Sequence, residues 1–307
     1  LIYSSKNKPK KRGGVIMRKI GKRIANQGPG LLILELIAIV LMLVFFFPFF
    51  MVIINSAKPY EVIIAEPLQW PEKWGQIFVN IKEILSRDNV NYFQSFGYSV
   101  LITVTSLVAI GTFSAMAAWV LVRTKTKYSV FIFLLFLSGL VIPFQVVMLP
   151  LVRFMQVLKD LTGIKFMETI HGIILAYIGF GAPLSVFMFY GFIKSIPMDI
   201  EEAAIIDGCT KSQVFFKIIL PILKPIFVTM LVLNGMWIWN DYLLPLLILR
   251  KGDIQTLPLS VSLLVGNYFK DWGLILTAVL MASIPVIILF LFAQKHIIKG
   301  MTSGAIK

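Results

Sequence analysis

Residues 199–225 read DIEEAAIIDGCTKSQVFFKIILPILKP, and the rest of the chain arranges itself around them. Asp199, followed three residues on by Glu202, has the spacing of a capping box and predicts a helix start. Glu201 and Glu202 fall in its first turn, where negative charge suits the helix dipole. Ile200, Ala203 and Ala204 lie at i, i+3 and i+4 and predict one small apolar face. Gly208 supplies the left-handed residue that ends a helix. Thr210 with Gln213 repeats the box spacing, and a second helix runs through Val214, Phe215, Ile218 and Ile219 until Pro221 interrupts it. The stretch predicts helix, glycine turn and helix, set between two very apolar segments.

Those flanks place the chain in a membrane. Of its 307 residues 58% are hydrophobic, the mean hydropathy is +0.86, and only 14% are charged. A soluble domain carries about a quarter charged residues. The net charge of +14 fits a membrane protein with cationic inner loops better than a nucleic-acid binder, since no nucleic-acid motif accompanies it. The single cysteine, Cys209, allows no intrachain disulfide and no thiol metal cluster, and is expected to pack as a small hydrophobe.

The predicted fold is all-α and integral to the membrane. Six spans are expected at about 31–54, 99–122, 130–152, 172–193, 226–249 and 274–292, together making one transmembrane domain over 31–294. Residues 1–30 form a basic arm with nine Lys and Arg and no acid, residues 194–225 a loop on the inner side, and 295–307 a short basic tail. The chain begins with Leu1 and its first methionine is Met17, so either is open as the start. The first span is too long for the apolar core of a signal peptide and is expected to remain uncleaved. In the second, Gly111 with Ala115 and Ser114 with Ala118 are small residues four apart, a pattern for close helix packing. Pro143, Gln145 and Pro150 interrupt the third and predict a kink or break. Arg153–Ile170 is expected to be a polar connector, with His171 interfacial rather than a metal ligand, and Arg250–Gly273 a polar outer loop. Trp70 and Trp74 suit an interfacial belt. Counting Lys and Arg with the amino terminus inside puts nineteen on inner segments and ten on outer ones, so both termini, and residues 194–225, are expected in the cytoplasm.

Glu202-Ala203-Ala204, three residues, Gly208, nine residues, then Ile218-x-Leu220-Pro221 resembles the EAA loop of ABC-importer permease subunits at every step of its spacing. Asp207 before Gly208, and Pro225, agree with that family; Cys209 stands where it often has alanine. From about residue 25 onward the chain is similar to the sugar permeases of the maltose type, and more closely to the smaller of their two partner subunits. Ile196-Pro197-Met198, Trp239-Asn240-Asp241-Tyr242 with Pro245, and Thr256-Leu257-Pro258-Leu259 carry that likeness.

The resemblance implies a bacterial cell-membrane permease that works with a second homologous permease subunit, two ATP-binding subunits and an extracellular binding protein, in contact with membrane lipid and with no nucleic acid. It implies that Glu201, Glu202, Ala203, Ala204, Asp207, Gly208, Leu220 and Pro221 form a coupling helix and its surroundings, docking on the ATPase, with Glu202 foremost. ATP and Mg would be held by the partner, and this chain would carry no catalytic residue, cofactor or metal. Within the sequence no G-x-x-x-x-G-K-[ST] occurs, which agrees. Asn240 and Asp241 either line the translocation path or cap a broken helix. The expected cargo is a carbohydrate, and an oligosaccharide fits best, with glycerol phosphate or another solute as the alternative. A secondary transporter is disfavoured because Glu35 and Asp241 are the only acids within spans and both lie toward span ends.

Overall fold

The computed structural model describes residues 29–87, 90–249, 253–267 and 271–305, and among them every regular element is a helix. The basic arm expected at 1–30 falls almost wholly outside the described residues. Four helices are long and apolar enough to cross a membrane, and there are up to six crossings if each of two sharply bent pairs counts as one. The chain is therefore a multi-pass membrane protein.

Helix α1 (Pro29–Asn55) is apolar on all sides, and only 6% of its most apolar window is buried within the chain. Its carboxyl-terminal end is held by a polar knot. The Lys58 ammonium donates to Asn55 Oδ1 at 3.0 Å, to the Glu66 carbonyl at 3.1 Å and to the Pro67 carbonyl at 3.0 Å, so its three donors are satisfied. Burial pushes this ammonium below the ordinary lysine value, and the Glu66 carboxylate pulls the other way. Asn80 donates to the Ser56 carbonyl at 2.9 Å and to Thr277 Oγ1 at 3.2 Å, joining the segment just after α1 to one more than two hundred residues later. Asn80 belongs to α3 (Gln76–Ser86), which comes after the short α2 (Tyr60–Ala65) within a segment that sequence alone shows only as polar.

The body is built on α4 (Tyr92–Thr124) and α7 (Ile170–Lys194). They run parallel: Ile110 lies against Gly181 halfway along, and the Arg123 guanidinium at the end of α4 reaches the Ile196 carbonyl just beyond the end of α7. The small residues Gly111, Ser114, Ala115 and Ala118 are all buried on α4, as their spacing predicts. A Cβ on Gly111 would sit 2.4 Å from Phe227 Cζ and 2.6 Å from Met230 Cε, so this glycine sets how closely α10 (Lys224–Asn240) approaches. With Trp239 against Phe96 at its other end, α10 runs antiparallel to α4. Trp239 Nε1 also donates to the Ala282 carbonyl of α13 (Trp272–Ala305), which closes the bundle.

The break predicted in the third span is present, and two other elements differ from their sequence reading. The third span is two helices, α5 (Lys127–Gly139) and α6 (Phe144–Thr162), bent by 109°. Pro143 stands at the break as the residue before α6, where its missing N–H costs nothing. Helix α6 continues well into the expected connector. The segment read as a fifth span stops at Asn240; after Asp241 and Tyr242 a separate helix, α11, covers Leu243–Leu249. The outer loop expected at 250–273 contains α12 (Leu257–Asn267), whose Leu257, Leu259, Val261 and Leu264 are buried. Pro258 in its first turn starts this helix rather than preventing it.

Candidate functional site

Residues 199–225 form two helices joined by a glycine turn, as their pattern predicts, but with a different start. Helix α8 covers Asp199–Ile206, and the residue before it is Met198, whose own backbone is already helical (φ −71°, ψ −25°) and which makes no side-chain cap. Asp199 thus lies inside the first turn, where its carboxylate cannot reach back as a cap, and the expected capping box with Glu202 is absent. Asp199, Glu201 and Glu202 all sit in that turn, where the helix dipole favours them.

The other end closes as a Schellman motif. Gly208 has φ +86°; its N–H donates to the Ile205 carbonyl at 3.0 Å, and the Cys209 N–H donates to the Ala204 carbonyl at 2.9 Å. Cys209 then packs half-buried against the core, as a small hydrophobe should. Thr210 and Gln213 do form the second box: Gln213 N–H donates to Thr210 Oγ1 at 3.3 Å and Thr210 N–H to Gln213 Oε1 at 2.9 Å.

The next helix, α9 (Lys211–Ile222), is wound more widely than an α-helix over Val214–Ile219. The Leu220 N–H reaches back five residues, to the Phe215 carbonyl, immediately before Pro221. Proline cannot donate, and its ring presses on the carbonyl four residues back. A wider turn at that point makes room, so Pro221 is carried within α9 rather than ending it. The true corner comes at Leu223, where α9 meets α10 at 73°.

Side-chain placement divides the expected docking residues into two groups. Ala204 and Glu201 are buried, while Glu202, Ala203, Asp207, Gly208 and Pro221 are exposed and Leu220 is half-buried. The expected apolar face of Ile200, Ala203 and Ala204 is split accordingly, because Ile200 is 41% exposed. Outward, α8 presents Glu202, Ala203 and Ile206, and Ile206 is 85% exposed.

Glu201 is where the structure exceeds the sequence reading. Its side chain is only 6% exposed and faces the carboxyl-terminal end of α4. Glu201 Oε1 accepts from Arg123 Nε at 2.8 Å and lies 2.7 Å from Arg123 Nη2; Oε2 accepts from Trp119 Nε1 at 3.0 Å. Arg123 Nη2 also donates to the Ile196 carbonyl at 3.2 Å. Trp119 in turn packs against Phe215 with ring centroids 5.4 Å apart. A cavity of about 430 Å³ lined by Trp119, Arg123, Met198, Glu201, Ile205 and Val214 opens beside the pair. Trp119 and Arg123 lie one turn apart, the first inside the expected second span and the second just past its expected end. Their i, i+4 spacing was the available signal.

On the opposite side, Asp241 stands at the break between α10 and α11. Its Oδ1 accepts from the N–H groups of Leu243 at 3.1 Å and Leu244 at 3.5 Å, and its Oδ2 accepts from the buried Tyr177 hydroxyl at 3.1 Å. Of the two readings of this residue, the geometry is that of capping a broken helix. Asn240 is exposed, and its side-chain amide returns to the Met236 carbonyl at 2.8 Å, so the two neighbours do not act on one another.

A family model described as "Binding-protein-dependent transport system inner membrane component" matches residues 108–303. The chain is 38% identical over 275 residues to the "Probable starch degradation products transport system permease protein AmyC" of Thermoanaerobacterium thermosulfurigenes, covering 90% of this chain and 96% of that one. It is 37% identical over 232 residues to the "Multiple sugar-binding transport system permease protein MsmG" of Streptococcus mutans, covering 74% and 80%. It is also 32% identical over 275 residues to the "Arabinooligosaccharides transport system permease protein AraQ" of Bacillus subtilis, covering 89% and 95%. Its fold superposes with a TM-score of 0.69 on a chain from the crystal structure of a bacterial ABC transporter involved in the import of the acidic polysaccharide alginate, covering 88% and 98% at 18% identity.

Proposed function

This chain belongs to the family of inner membrane components of binding-protein-dependent transport systems, as a permease subunit of an ABC importer, and from that premise we propose that it couples ATP hydrolysis by a partner to the uptake of an oligosaccharide. Family membership entails an ATPase and a substrate-binding protein as partners, with the chemistry of hydrolysis outside this chain. The finer assembly proposed is one second permease subunit, two ATP-binding subunits that hold ATP and Mg, and one extracellular binding protein. Both termini and α8 are proposed to face the cytoplasm, supported by the excess of Lys and Arg on those segments.

One observation carries the coupling reading. Helix α8 is tied to the end of α4 through Glu201 and joined to α7 by the short linker that Arg123 holds at Ile196, while its opposite face, with Glu202, Ala203 and Ile206, is left open. A short helix so arranged passes a push on its outer face directly to two spans. Glu202, Ala203, Asp207 and Gly208 are proposed to meet the ATPase. Ala204, Leu220 and Pro221 are proposed to support that surface from behind, and Glu201 to anchor it.

The carbohydrate reading rests on the relatives, named for starch degradation products, multiple sugars and arabinooligosaccharides. It is tested by reconstituting the full importer in proteoliposomes and measuring ATPase rate with the binding protein and a panel of solutes. Starch-derived or arabinose oligosaccharides should raise the rate. Stimulation by glycerol phosphate alone would replace the sugar reading while leaving the importer class intact.

A further inference from the structure

We propose that Arg123 and Glu201 are a pair of positioning residues that make α8 and the span α4 move as one body, so that a push on α8 becomes movement of α4 instead of rotation of α8 in place. The proposal rests on the reading of α8 as the docking helix. It adds that the link to α4 is polar, local and breakable.

Helix α8 is short: eight residues are too few to hold a helix or its direction without tertiary contacts. Only Glu201 and Ala204 of those residues are buried, and an alanine methyl gives little grip. The orientation of α8 therefore depends on what Glu201 holds. Both of its oxygens are engaged by α4, one by the Arg123 fork and the other by the Trp119 indole. The same guanidinium fixes the Ile196 carbonyl in the linker entering α8, so one side chain ties the span, the linker and the helix. An arginine fork imposes direction as well as attraction, which a lysine or an apolar contact would not.

Burial argues in the same direction. A largely buried ion pair adds little stability compared with an apolar pair of similar volume, and its use lies in specifying one arrangement. Glu202, next in sequence and exposed, has none of these contacts among the hydrogen bonds and ion pairs of the described residues. The two neighbouring acids thus have opposite duties, one facing the partner and one facing the span.

The test uses the assembled complex in proteoliposomes with its binding protein and a solute shown to be transported. The quantity read is solute imported per ATP hydrolysed, alongside co-purification of the ATPase. R123Q and E201Q should co-purify normally and keep ATPase activity while import per ATP falls at least tenfold. Carrying both changes together should be no worse than the weaker single variant, since each already breaks the same link. W119F, which removes one hydrogen bond and spares the fork, should lose only a few-fold.

Unchanged import per ATP in both single variants would overturn the proposal, and so would losses that multiply in the double variant. Failure of the single variants to assemble would overturn it too, by making the pair a folding element. The docking reading fails separately, if I206E on the open face leaves co-purification and import untouched.

Discussion

Gly208 and Glu201 show how much of this surface is decided residue by residue. A Cβ on Gly208 would meet nothing within 4 Å, so the demand for glycine comes entirely from its φ of +86°. Placing an L residue there costs about 1–2 kcal/mol. Gly208→Ala should therefore lower the thermal midpoint modestly and keep most transport. Gly208→Arg carries the same backbone cost and also puts a long cation on the exposed turn. It should insert in the membrane at normal levels, measured by fractionation, yet abolish uptake; normal uptake would contradict the placement of this turn at the docking surface. The glycine was legible because left-handed backbone has a residue preference of its own. Thr210 with Gln213 was legible for the same reason, being a local pair. Asp199 with Glu202 has identical spacing and misleads, because Met198 holds the cap position with helical backbone and leaves Asp199 inside the first turn. Glu201 could not be separated from Glu202 by pattern. Which acid turns inward is decided by Arg123, 78 residues earlier in the chain.

Among the helices, prolines acted according to what surrounds them. Pro258 opens α12, Pro143 stands at the corner between α5 and α6, and Pro221 directly follows a widened turn. Sequence identifies each as an interruption, but the cure depends on neighbouring backbone. The widened turn over Val214–Ile219 holds one residue more than an α-helix needs over the same rise. Deleting Phe216, which is 51% exposed, should convert it to ordinary α-helix with both flanks keeping their faces. Such a variant should express and assemble near normal levels. Removing one residue within α10, for example Leu233, should instead rotate the remainder of that helix by about 100° and prevent assembly. Equal damage from both deletions, judged by co-purification of the complex, would show that the wide turn has a specific duty of its own. The break after Asn240 was half legible: Asp241 marked it, but only the geometry distinguishes a cap from a path-lining acid.

For the molecule as a whole, composition sufficed to give the class and the motif to give the family, and the six expected spans agree with the structure when each of the two bent pairs is counted as one crossing. Pro143 marks the corner between α5 and α6 in sequence, but with apolar arms on both sides the pattern does not give its angle of 109°. The corner has a consequence for the bilayer. Helix α5 has 13 residues, a rise of about 20 Å, whereas a bilayer's apolar core is about 30 Å thick. Its neighbours α4 and α7, of 33 and 25 residues, are long enough to cross fully. Lipid beside α5 is then expected to thin locally, and thinning costs a fraction of a kcal/mol for each ångström of mismatch. Acyl-chain length thus becomes a variable of the protein. Proteoliposomes of shorter-chain phosphatidylcholine should hold the complex at a higher thermal midpoint than those of long-chain lipid, and a midpoint that rises with chain length would show that α5 meets no thinned bilayer.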